Sequence, residues 1–247
     1  MEMIRVTDHD DGTTLIEINR PARKNAICAV TAVELQQAFA TFDRSETQRV
    51  AVITGAGDDA FSAGADVSHL PELWRCIPTV GIDTEKPVIA AIGGWCVGGA
   101  LVIAMMADLL VAADNAKFSY PEAKLGFTGG MISALPTRIP HKIAMELIML
   151  CRTIDARRAY EIGLANEIVP TGQQVQRALE MAREIATFAP LVLKTLKRFI
   201  TNEVMPQGPA EKSGRAQRQL NAVRDSEDGA EGSRAFKEKR APQWKGR

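Results

Sequence analysis

Residues 88–100 have the sequence Val88-Ile89-Ala90-Ala91-Ile92-Gly93-Gly94-Trp95-Cys96-Val97-Gly98-Gly99-Ala100, in which a β-rich apolar run leads through glycines into an apolar helix. Because glycine has no Cβ, a ligand oxygen can approach the amides of Gly98 and Gly99 closely. The helix that begins there adds the positive end of its dipole. Backbone N–H groups placed in this way can form an oxyanion hole, which stabilises a developing negative charge.

A second glycine-bearing loop, Phe61-Ser62-Ala63-Gly64-Ala65-Asp66, also follows a strand-like run. A third segment, Phe118-Ser119-Tyr120-Pro121-Glu122, places a carboxylate just after a short strand. Each glycine loop on its own is more often an ordinary tight turn. Together with a carboxylate, the two loops indicate a site that polarises a carbonyl group and transfers a proton beside it.

The composition narrows the possible classes of protein. The 247 residues are 46% hydrophobic, which is enough to bury a sizeable core. Lys+Arg and Asp+Glu both number 30, so no net field attracts nucleic acid or an anionic membrane. The N-terminus lacks the features of a signal peptide, and no apolar run reaches the ~20 residues of a membrane span. We therefore expect neither nucleic acid nor a membrane as a partner.

The spacing of the cysteines and histidines argues against a CxxC site and against a metal site. The four cysteines show no CxxC pattern, which favours reduced thiols and a cytoplasmic location. The three histidines share no metal-binding spacing with each other or with cysteine, so no metal site is expected.

The order of predicted elements indicates an α/β fold. Residues 4–6 and 14–18 flank Gly12 and predict a hairpin. Thr31 and Glu34 form a capping-box pattern, which predicts a helix that starts there. Four β-rich runs separated by helical stretches predict parallel strands at 49–54, 87–92, 109–113 and 166–169. After Pro170 the pattern is helical at roughly 172–188, 191–204, 207–226 and 229–237, with breaks near Pro190, Pro206 and Gly229.

Ordered matches along nearly the whole chain resemble the crotonase family, also called the enoyl-CoA hydratase/isomerase superfamily. They include Asn19-Arg20-Pro21, Asn25-Ala26, Ile53-Thr54-Gly55, Phe61 to Asp66, Lys86 to Ile92, Gly98-Gly99, Ala107-Asp108-Leu109, Pro121 to Gly126, Ala159 to Pro170, and the tail residues Ala235-Phe236 and Lys239-Arg240. The resemblance implies a crotonase-like core, a right-handed spiral of ββα turns over residues 1–189, which carries a CoA-thioester site. It also implies a C-terminal helical region, residues 190–247, that closes the site and joins subunits into a homotrimer or a dimer of trimers.

The resemblance assigns catalytic roles to three positions. Backbone amides at the positions of Ser62 and Gly99 form the family's oxyanion hole, and Glu122 matches a glutamate that handles the proton at the α-carbon. Val102 stands where hydratases of the family carry a second glutamate, which helps to activate water. A single carboxylate can move a proton from one carbon to another, whereas hydration normally needs water oriented by a pair of groups.

These matches predict an enzyme, most specifically an enoyl-CoA isomerase that uses Glu122 alone. One alternative is an enoyl-CoA hydratase or dehydratase, or another acyl-CoA lyase or hydrolase, in which a different group replaces the one lost at Val102. The other is a catalytically weak protein that binds CoA thioesters.

Coenzyme A enters only as part of the acyl-CoA substrate, and no permanently bound cofactor is expected. Family matches place Arg23 and Lys24 near the CoA phosphates, and Asp66 and Val67 beside adenine. Within residues 67–86, Leu70, Leu73, Trp74 and Ile77 repeat at helical spacing, a pattern that more often means core packing. The resemblance nevertheless places the acyl pocket in this segment. The residues expected to contact CoA or the acyl group are Arg23, Lys24, Ala26, Ala63, Gly64, Asp66, Val67, Trp74, Gly98, Val102, Pro121, Phe236 and Lys239.

Overall fold

The computed structural model describes residues 1–247 and contains two β-sheets with helices packed around them. The large sheet has the order β1 (Ile4–Asp8), β2 (Thr13–Ile18), β3 (Val50–Gly55), β5 (Val88–Ile92), β7 (Leu109–Ala113) and β10 (Glu167–Val169). The small sheet has the order β4 (Ala60–Ser62), β6 (Trp95–Val97), β8 (Lys117–Ser119) and β9 (Thr153–Asp155).

The chain passes repeatedly from the large sheet to the small one. Strands β3, β5 and β7 are each followed within a few residues by β4, β6 and β8, and the last two are followed by helices. In the large sheet β5 pairs in parallel with β3 and β7, and in the small sheet β6 pairs in parallel with β4 and β8. By contrast, β1 pairs antiparallel with β2, and β9 pairs antiparallel with β8. This repeated strand, strand and helix order confirms the predicted α/β spiral.

Nine α-helices complete the fold. They are α1 (Ala29–Arg44), α2 (Gly99–Met106), α3 (Glu122–Leu125), α4 (His141–Leu150), α5 (Ala156–Glu161), α6 (Gln174–Ala186), α7 (Pro190–Phe199), α8 (Pro209–Arg224) and α9 (Glu227–Glu238). Short 3₁₀ turns lie at Pro21–Arg23, Leu73–Cys76 and Met131–Thr137, and a π turn at Ile200–Val204 continues α7. No helix of the structure has the length and apolar character needed to cross a lipid bilayer.

The core surrounds the large sheet. Strands β3 and β5 are buried along their whole lengths, as expected for parallel strands that are covered on both faces. One face packs into the main core with α1 and α2, and the other packs against the small side chains of α6, such as Ala178 and Ala182. Strands β3 and β5, which lead into β4 and β6, are therefore held by packing on both faces.

The predicted hairpin is confirmed, with Gly12 at φ 83°, but the capping box is wrong. Helix α1 already begins at Ala29, and the Glu34 carboxylate instead accepts N–H bonds from Glu2, Met3 and Ile4 at 3.0, 2.8 and 3.1 Å. Burial raises the pKa of Glu34, but these hydrogen bonds outweigh it and hold the pKa below its usual value. Glu34 thus ties the first strand to α1.

The helix expected within residues 67–86 is a single 3₁₀ turn, Leu73–Cys76. Proline limits the helix on both sides, because Pro71 and Pro78 leave only six residues between them. At the C-terminal end, the break predicted at Gly229 is also misplaced. Gly229 lies within α9, and its N–H is capped by the Ser226 side chain at 3.0 Å.

The C-terminal helices pack on the rest of the chain. Lys197 of α7 forms an ion pair with Asp108 at 2.6 Å, next to β7. Gly214 of α8 lies so close to the core that a Cβ there would be 2.5 Å from Val80 Cγ1. These contacts place α7 beside the start of β7, and α8 against Val80 and the 3₁₀ turn Leu73–Cys76.

Candidate active site

The two glycine loops lie side by side because β4 and β6 pair in parallel. Gly64 has φ 87°, and a Cβ on it would lie 2.5 Å from the Val97 carbonyl oxygen and 3.4 Å from the Gly99 nitrogen. Only glycine fits a position with both this backbone conformation and this close approach. Gly64 therefore allows its loop to reach the start of α2.

The Ala65 amide of the first loop has no acceptor within the protein. Three neighbouring amides are bonded: Ala63 N–H to Lys24 O at 2.9 Å, Gly64 N–H to Ser62 Oγ at 3.1 Å, and Asp66 N–H to Ile27 O at 2.8 Å. The N–H of Ala65 makes no hydrogen bond within the protein, and Ala65 is only half-buried. Ser62, the donor expected from sequence, is fully buried within β4. The amide that this loop offers to a ligand is that of Ala65.

The second loop places Gly99 and Glu122 near one another. Strand β8 pairs with β6, and Gly98 N–H donates to Ser119 O at 2.9 Å. Gly99 is the first residue of α2, where amide groups have no acceptor within the helix. Gly98 has φ 56°, and a Cβ on it would lie 3.3 Å from Glu122 Oε1. One carboxylate oxygen thus lies against the glycine that precedes the Gly99 amide.

A chain of hydrogen bonds holds the other oxygen of Glu122. The Tyr120 hydroxyl donates to Glu122 Oε2 and lies 2.8 Å from Thr128 Oγ1, which accepts Gly130 N–H at 3.0 Å. The Tyr120 hydroxyl donates its single proton to the Glu122 carboxylate, because a carboxylate can only accept. The Thr128 hydroxyl must therefore donate to the Tyr120 oxygen. Burial and the adjacent carboxylate raise the pKa of Tyr120, which keeps its hydroxyl protonated.

Sequence reasoning missed the role of Tyr120. Its side chain is buried, and it directs Glu122 so that Oε2 is occupied while Oε1 remains free toward Gly98. A tyrosine two residues before the predicted base, at the end of a short strand, was the only signal available.

Val102 supplies no second polar group. It lies in α2, whose residues are buried on every side, and its own side chain belongs to the main apolar core. Glu122 is therefore the carboxylate that the structure places next to Gly98, at the start of α2.

A cavity of about 740 Å³ opens from Glu122 and Tyr120. Much of its wall is formed by apolar side chains of the segment after α3, of the 3₁₀ turn Met131–Thr137 and of α4. They are Phe127, Ile132, Pro136, Met145 and Ile148. Its volume lies in the range of about 300–1,000 Å³ that is usual for small-molecule sites. A second cavity, of about 390 Å³ between α1, α6 and α7, contains none of the predicted site residues.

Trp74 does not line the cavity at Glu122. Its ring lies under the Arg75 guanidinium, 4.7 Å from the ring centre, and its Cβ would be 3.1 Å from a Cβ at Gly214. Leu73 lies over Gly99, where its Cδ2 would be 2.7 Å from an added Cβ. The 67–86 segment thus covers Gly99 with Leu73, and Trp74 packs against α8.

The amino-acid sequence was also compared with protein families and with known proteins. A model of the enoyl-CoA hydratase/isomerase family matches residues 8–247. The chain belongs to this family. Carnitinyl-CoA dehydratases from Citrobacter koseri and Proteus mirabilis are 38% and 37% identical to it, with 94% of each chain covered.

Solved structures of the family confirm the crotonase-like fold. A probable enoyl-CoA hydratase/isomerase from Mycobacterium abscessus is 34% identical, covers 100% of both chains and has a TM-score of 0.76. A carnitinyl-CoA hydratase from Mycobacterium avium is 32% identical, with the same coverage and TM-score. These relatives are consistent with an acyl-CoA thioester as the substrate of this enoyl-CoA hydratase/isomerase family member.

The loop expected to meet CoA phosphates is held by Asn25. The Asn25 amide donates to Ala56 O and Ala60 O at 2.9 and 2.8 Å, and its Oδ1 accepts Arg20 N–H at 3.0 Å. Lys24 and Asn25 both adopt positive φ, 48° and 55°, a conformation that is unusual outside glycine. These bonds fix the loop with Arg23 and Lys24 on the surface.

Asp66 connects this loop to the Ala65 loop. Its carboxylate lies 3.3 Å from Arg20 and 3.9 Å from Arg23, and the Arg20 guanidinium also donates to Ala26 O. Burial raises the pKa of Asp66, but hydrogen bonds from Ser68 N–H and Arg20 leave the pKa below its usual value. The structure thus brings together most of the predicted CoA residues of the two loops: Arg23, Lys24, Ala26, Ala63, Gly64 and Asp66, with Val67 exposed beside them.

Three other predicted residues lie elsewhere or play a different part. Pro121 precedes α3 and sets the start of the turn that carries Glu122. Phe236 is 87% exposed on α9, and Lys239 follows the end of that helix, which packs mainly against α8. The proposed contacts of Phe236 and Lys239 with CoA stay predictions.

Proposed function

We propose that this chain binds an acyl-CoA thioester and transfers a proton at its α-carbon. The Ala65 and Gly99 amides would hold the thioester oxygen while Glu122 Oε1 accepts the proton. The observation that carries the proposal is the position of Glu122 Oε1 against Gly98, directly before the Gly99 amide. Two amides aimed at a developing enolate oxygen can stabilise it by a few kcal/mol each, on the order found for oxyanion holes.

The reaction that this site supports best is isomerisation of an enoyl-CoA double bond. Glu122 alone can remove a proton from one carbon and return it to another on the same face. A buried Val102 leaves no carboxylate on α2 to orient a water molecule. The single base therefore favours isomerisation over hydration.

Hydration or dehydration is the second candidate. It is favoured by the names of the relatives, which are called carnitinyl-CoA dehydratase. In that case a group other than residue 102 must handle the water or the leaving hydroxyl. A lyase, a hydrolase or a protein that only binds CoA thioesters is supported by no separate observation.

Labelled water distinguishes the two candidates. The purified protein would be incubated with 3-enoyl-CoA and, separately, with 2-enoyl-CoA in ¹⁸O-labelled water, and the products analysed by mass spectrometry. Isomerisation predicts that the double bond moves with no label incorporated. Rapid hydration of 2-enoyl-CoA without isomerase activity would put the second candidate first, and binding without either reaction would support the binding protein.

We also propose that residues 190–247 join subunits into a trimer or a dimer of trimers. Support comes from α7 and the π turn, where Leu191, Val192, Leu196, Phe199 and Ile200 are each more than half exposed. A helix face this apolar is usually covered by a partner. Sedimentation that shows only the 26.8 kDa single chain at micromolar concentration would contradict this assembly. A cytoplasmic location is proposed as well, and four buried free thiols support it.

A further inference from the structure

The second cavity, of about 390 Å³, lies at the edge of the large sheet opposite the glycine loops. Val50, which begins β3, and Pro87, which directly precedes β5, both line it, whereas the glycine loops follow the ends of these strands. Helices α1, α6 and α7 form much of the remaining wall. This cavity shares no residue with the one that opens from Glu122, so it is a separate place on the molecule.

Positive charge dominates one part of its wall. Four cationic side chains line the cavity against two carboxylates: Arg44, Arg49, Lys86 and Lys194 against Asp43 and Glu46. None of the four cations forms an ion pair with a carboxylate of the protein. Asp43 instead accepts a hydrogen bond from the Thr84 hydroxyl at 2.6 Å. The cations of this cavity therefore have no counter-charge in contact with them from the protein.

Lys86 is the buried member of this group, with only 4% of it exposed. Its ammonium donates to Phe42 O and Ser45 O at 2.8 and 2.7 Å, where α1 ends. An ammonium has three N–H groups, so one remains after these two bonds. Burial lowers the pKa of Lys86, Asp43 partly opposes this, and the like charge of Lys194 adds to the lowering. Two positive charges thus lie near each other beside the cavity.

Lys194 is the partner in this like-charge pair. It is half-buried on α7, and its ammonium makes no hydrogen bond within the protein. A buried or half-buried charge without a partner is unfavourable, and a bound anion would remove this cost. The cationic part of the wall is therefore suited to an anionic group.

The other part of the wall is apolar. Ile185 of α6, Phe188 just after it and Leu193 of α7 line the cavity. Phe188 is 48% exposed, so a ligand that covers its ring would remove apolar area from water. The cavity volume lies in the range of about 300–1,000 Å³ that is usual for small-molecule sites. There is thus room for a ligand that has an apolar body as well as a charge.

We propose that this cavity binds an organic carboxylate, with the carboxylate at Lys86 and Lys194 and an apolar body against Phe188 and Leu193. An inorganic anion would leave the apolar wall in water, and a neutral apolar molecule would leave the two ammonium groups without a counter-charge. Lys86 has one N–H left to donate, which suits a carboxylate better than a phosphate with its larger number of oxygens. The site is independent of the proposed function, because it contains none of the residues assigned to thioester chemistry.

Titration calorimetry of the full chain with four probes tests this inference. The probes are octanoate, butanoate, 1-octanol and octyltrimethylammonium. We expect octanoate to bind at least about tenfold more tightly than butanoate, since its additional methylenes are buried. It should also bind more tightly than 1-octanol and octyltrimethylammonium, because only octanoate combines the apolar chain with a negative charge.

Two substitutions locate the bound octanoate. Lys194→Gln should weaken octanoate about tenfold, the effect expected for loss of a hydrogen bond to a charged group. Lys212→Gln is the matched control, because Lys212 is an exposed helical lysine without an ion pair that lies outside the cavity. Phe188→Ser should weaken octanoate more than butanoate, since only the longer chain reaches the apolar wall. Lys86 is left unchanged because its bonds to Phe42 O and Ser45 O hold the end of α1.

Each contrary result overturns the inference. Octanoate that binds Lys194→Gln as tightly as the unmodified protein lies elsewhere, for example in the Glu122 cavity, which Lys194 does not line. Failure of octanoate to bind, equal affinity for octanoate and butanoate, or tighter binding of 1-octanol or the ammonium probe would also contradict it. The four probes on the unmodified protein decide the matter even if a variant does not fold. None of these results bears on the proposed function, which the reactions of enoyl-CoA test separately.

Discussion

The Tyr120 hydroxyl donates a hydrogen bond to Glu122 Oε2, while Glu122 Oε1 lies against Gly98. The two oxygens of one carboxylate therefore have different tasks. One is fixed by a buried phenol that Thr128 holds in turn, and the other is free toward the oxyanion loops. Tyr120 acts as a positioning residue for the proposed base.

Tyr120→Phe should lower kcat and leave KM nearly unchanged. A hydrogen bond to a charged group contributes about 1.5–3 kcal/mol, so its loss predicts a decrease of about 10- to 100-fold. Tyr160→Phe serves as the control, since Tyr160 is the other tyrosine of the chain and is exposed. Steady-state kinetics would check this, and a variant with normal kcat would show that Glu122 does not depend on Tyr120.

Ala65→Pro should remove the free amide of the first loop and reduce kcat by about 10²-fold, the effect typical of losing one oxyanion donor. Asp58→Pro is the matched control, because Asp58 lies in the exposed loop before β4, its N–H is also unbonded, and it is not among the predicted CoA contacts. Thermal unfolding of both variants would confirm that the fold is retained. Equal activity of the two variants would return the donor role to another residue, with Ser62 the first to test.

Gly98→Ala should impair turnover through contact with the base. The new methyl group would lie 3.3 Å from Glu122 Oε1 at a φ of 56°, so both the carboxylate and the backbone must shift. Gly163→Ala carries a comparable backbone strain at φ 78°, meets nothing within 4 Å and lies outside the Glu122 cavity. Activity lost in the first variant and kept in the second would locate the effect at Glu122, whereas equal losses would assign it to backbone strain.

Glu34→Gln should reduce stability in a pH-dependent manner. The folded state lowers the pKa of Glu34, so the ionised carboxylate stabilises the fold above its ordinary pKa of 4.5, and this contribution disappears as the pH falls through the lower folded value. We expect a loss of about 1 kcal/mol at neutral pH. Chemical denaturation at pH 7 and at acid pH would measure it.

Glu46→Gln is the control for Glu34, since Glu46 is exposed and accepts no hydrogen bond. A destabilisation of Glu34→Gln that stays the same at neutral and acid pH would contradict the role of the carboxylate charge.

Much of the fold could be predicted from the sequence because its signals are local. The parallel strands and the C-terminal helices follow from apolar periodicity, and Gly12 follows from the chemistry of hairpin turns. The capping box at Thr31 is wrong because the Glu34 carboxylate accepts hydrogen bonds from the amides of Glu2, Met3 and Ile4, about 30 positions earlier in the chain, where β1 begins. Local pattern cannot show that competition.

The candidate site was predictable in its segments but not in its atoms. Glycine loops and Glu122 stand out in the sequence, yet which amide of the first loop stays free depends on distant acceptors, such as Lys24 O for Ala63 and Ile27 O for Asp66. The same limit applies to Trp74, whose helical spacing does not reveal that Gly214 lies beneath it.

Exchange of the α-proton of butyryl-CoA in D₂O tests the central claim most directly, because it follows the proton that Glu122 is proposed to move. The unmodified protein should exchange this proton, and Glu122→Gln should lower the exchange rate by at least about 10²-fold, as expected for loss of a general base. Butyryl-CoA affinity should remain unchanged in the variant. An undiminished exchange rate in Glu122→Gln would contradict the account and assign the proton transfer to another group.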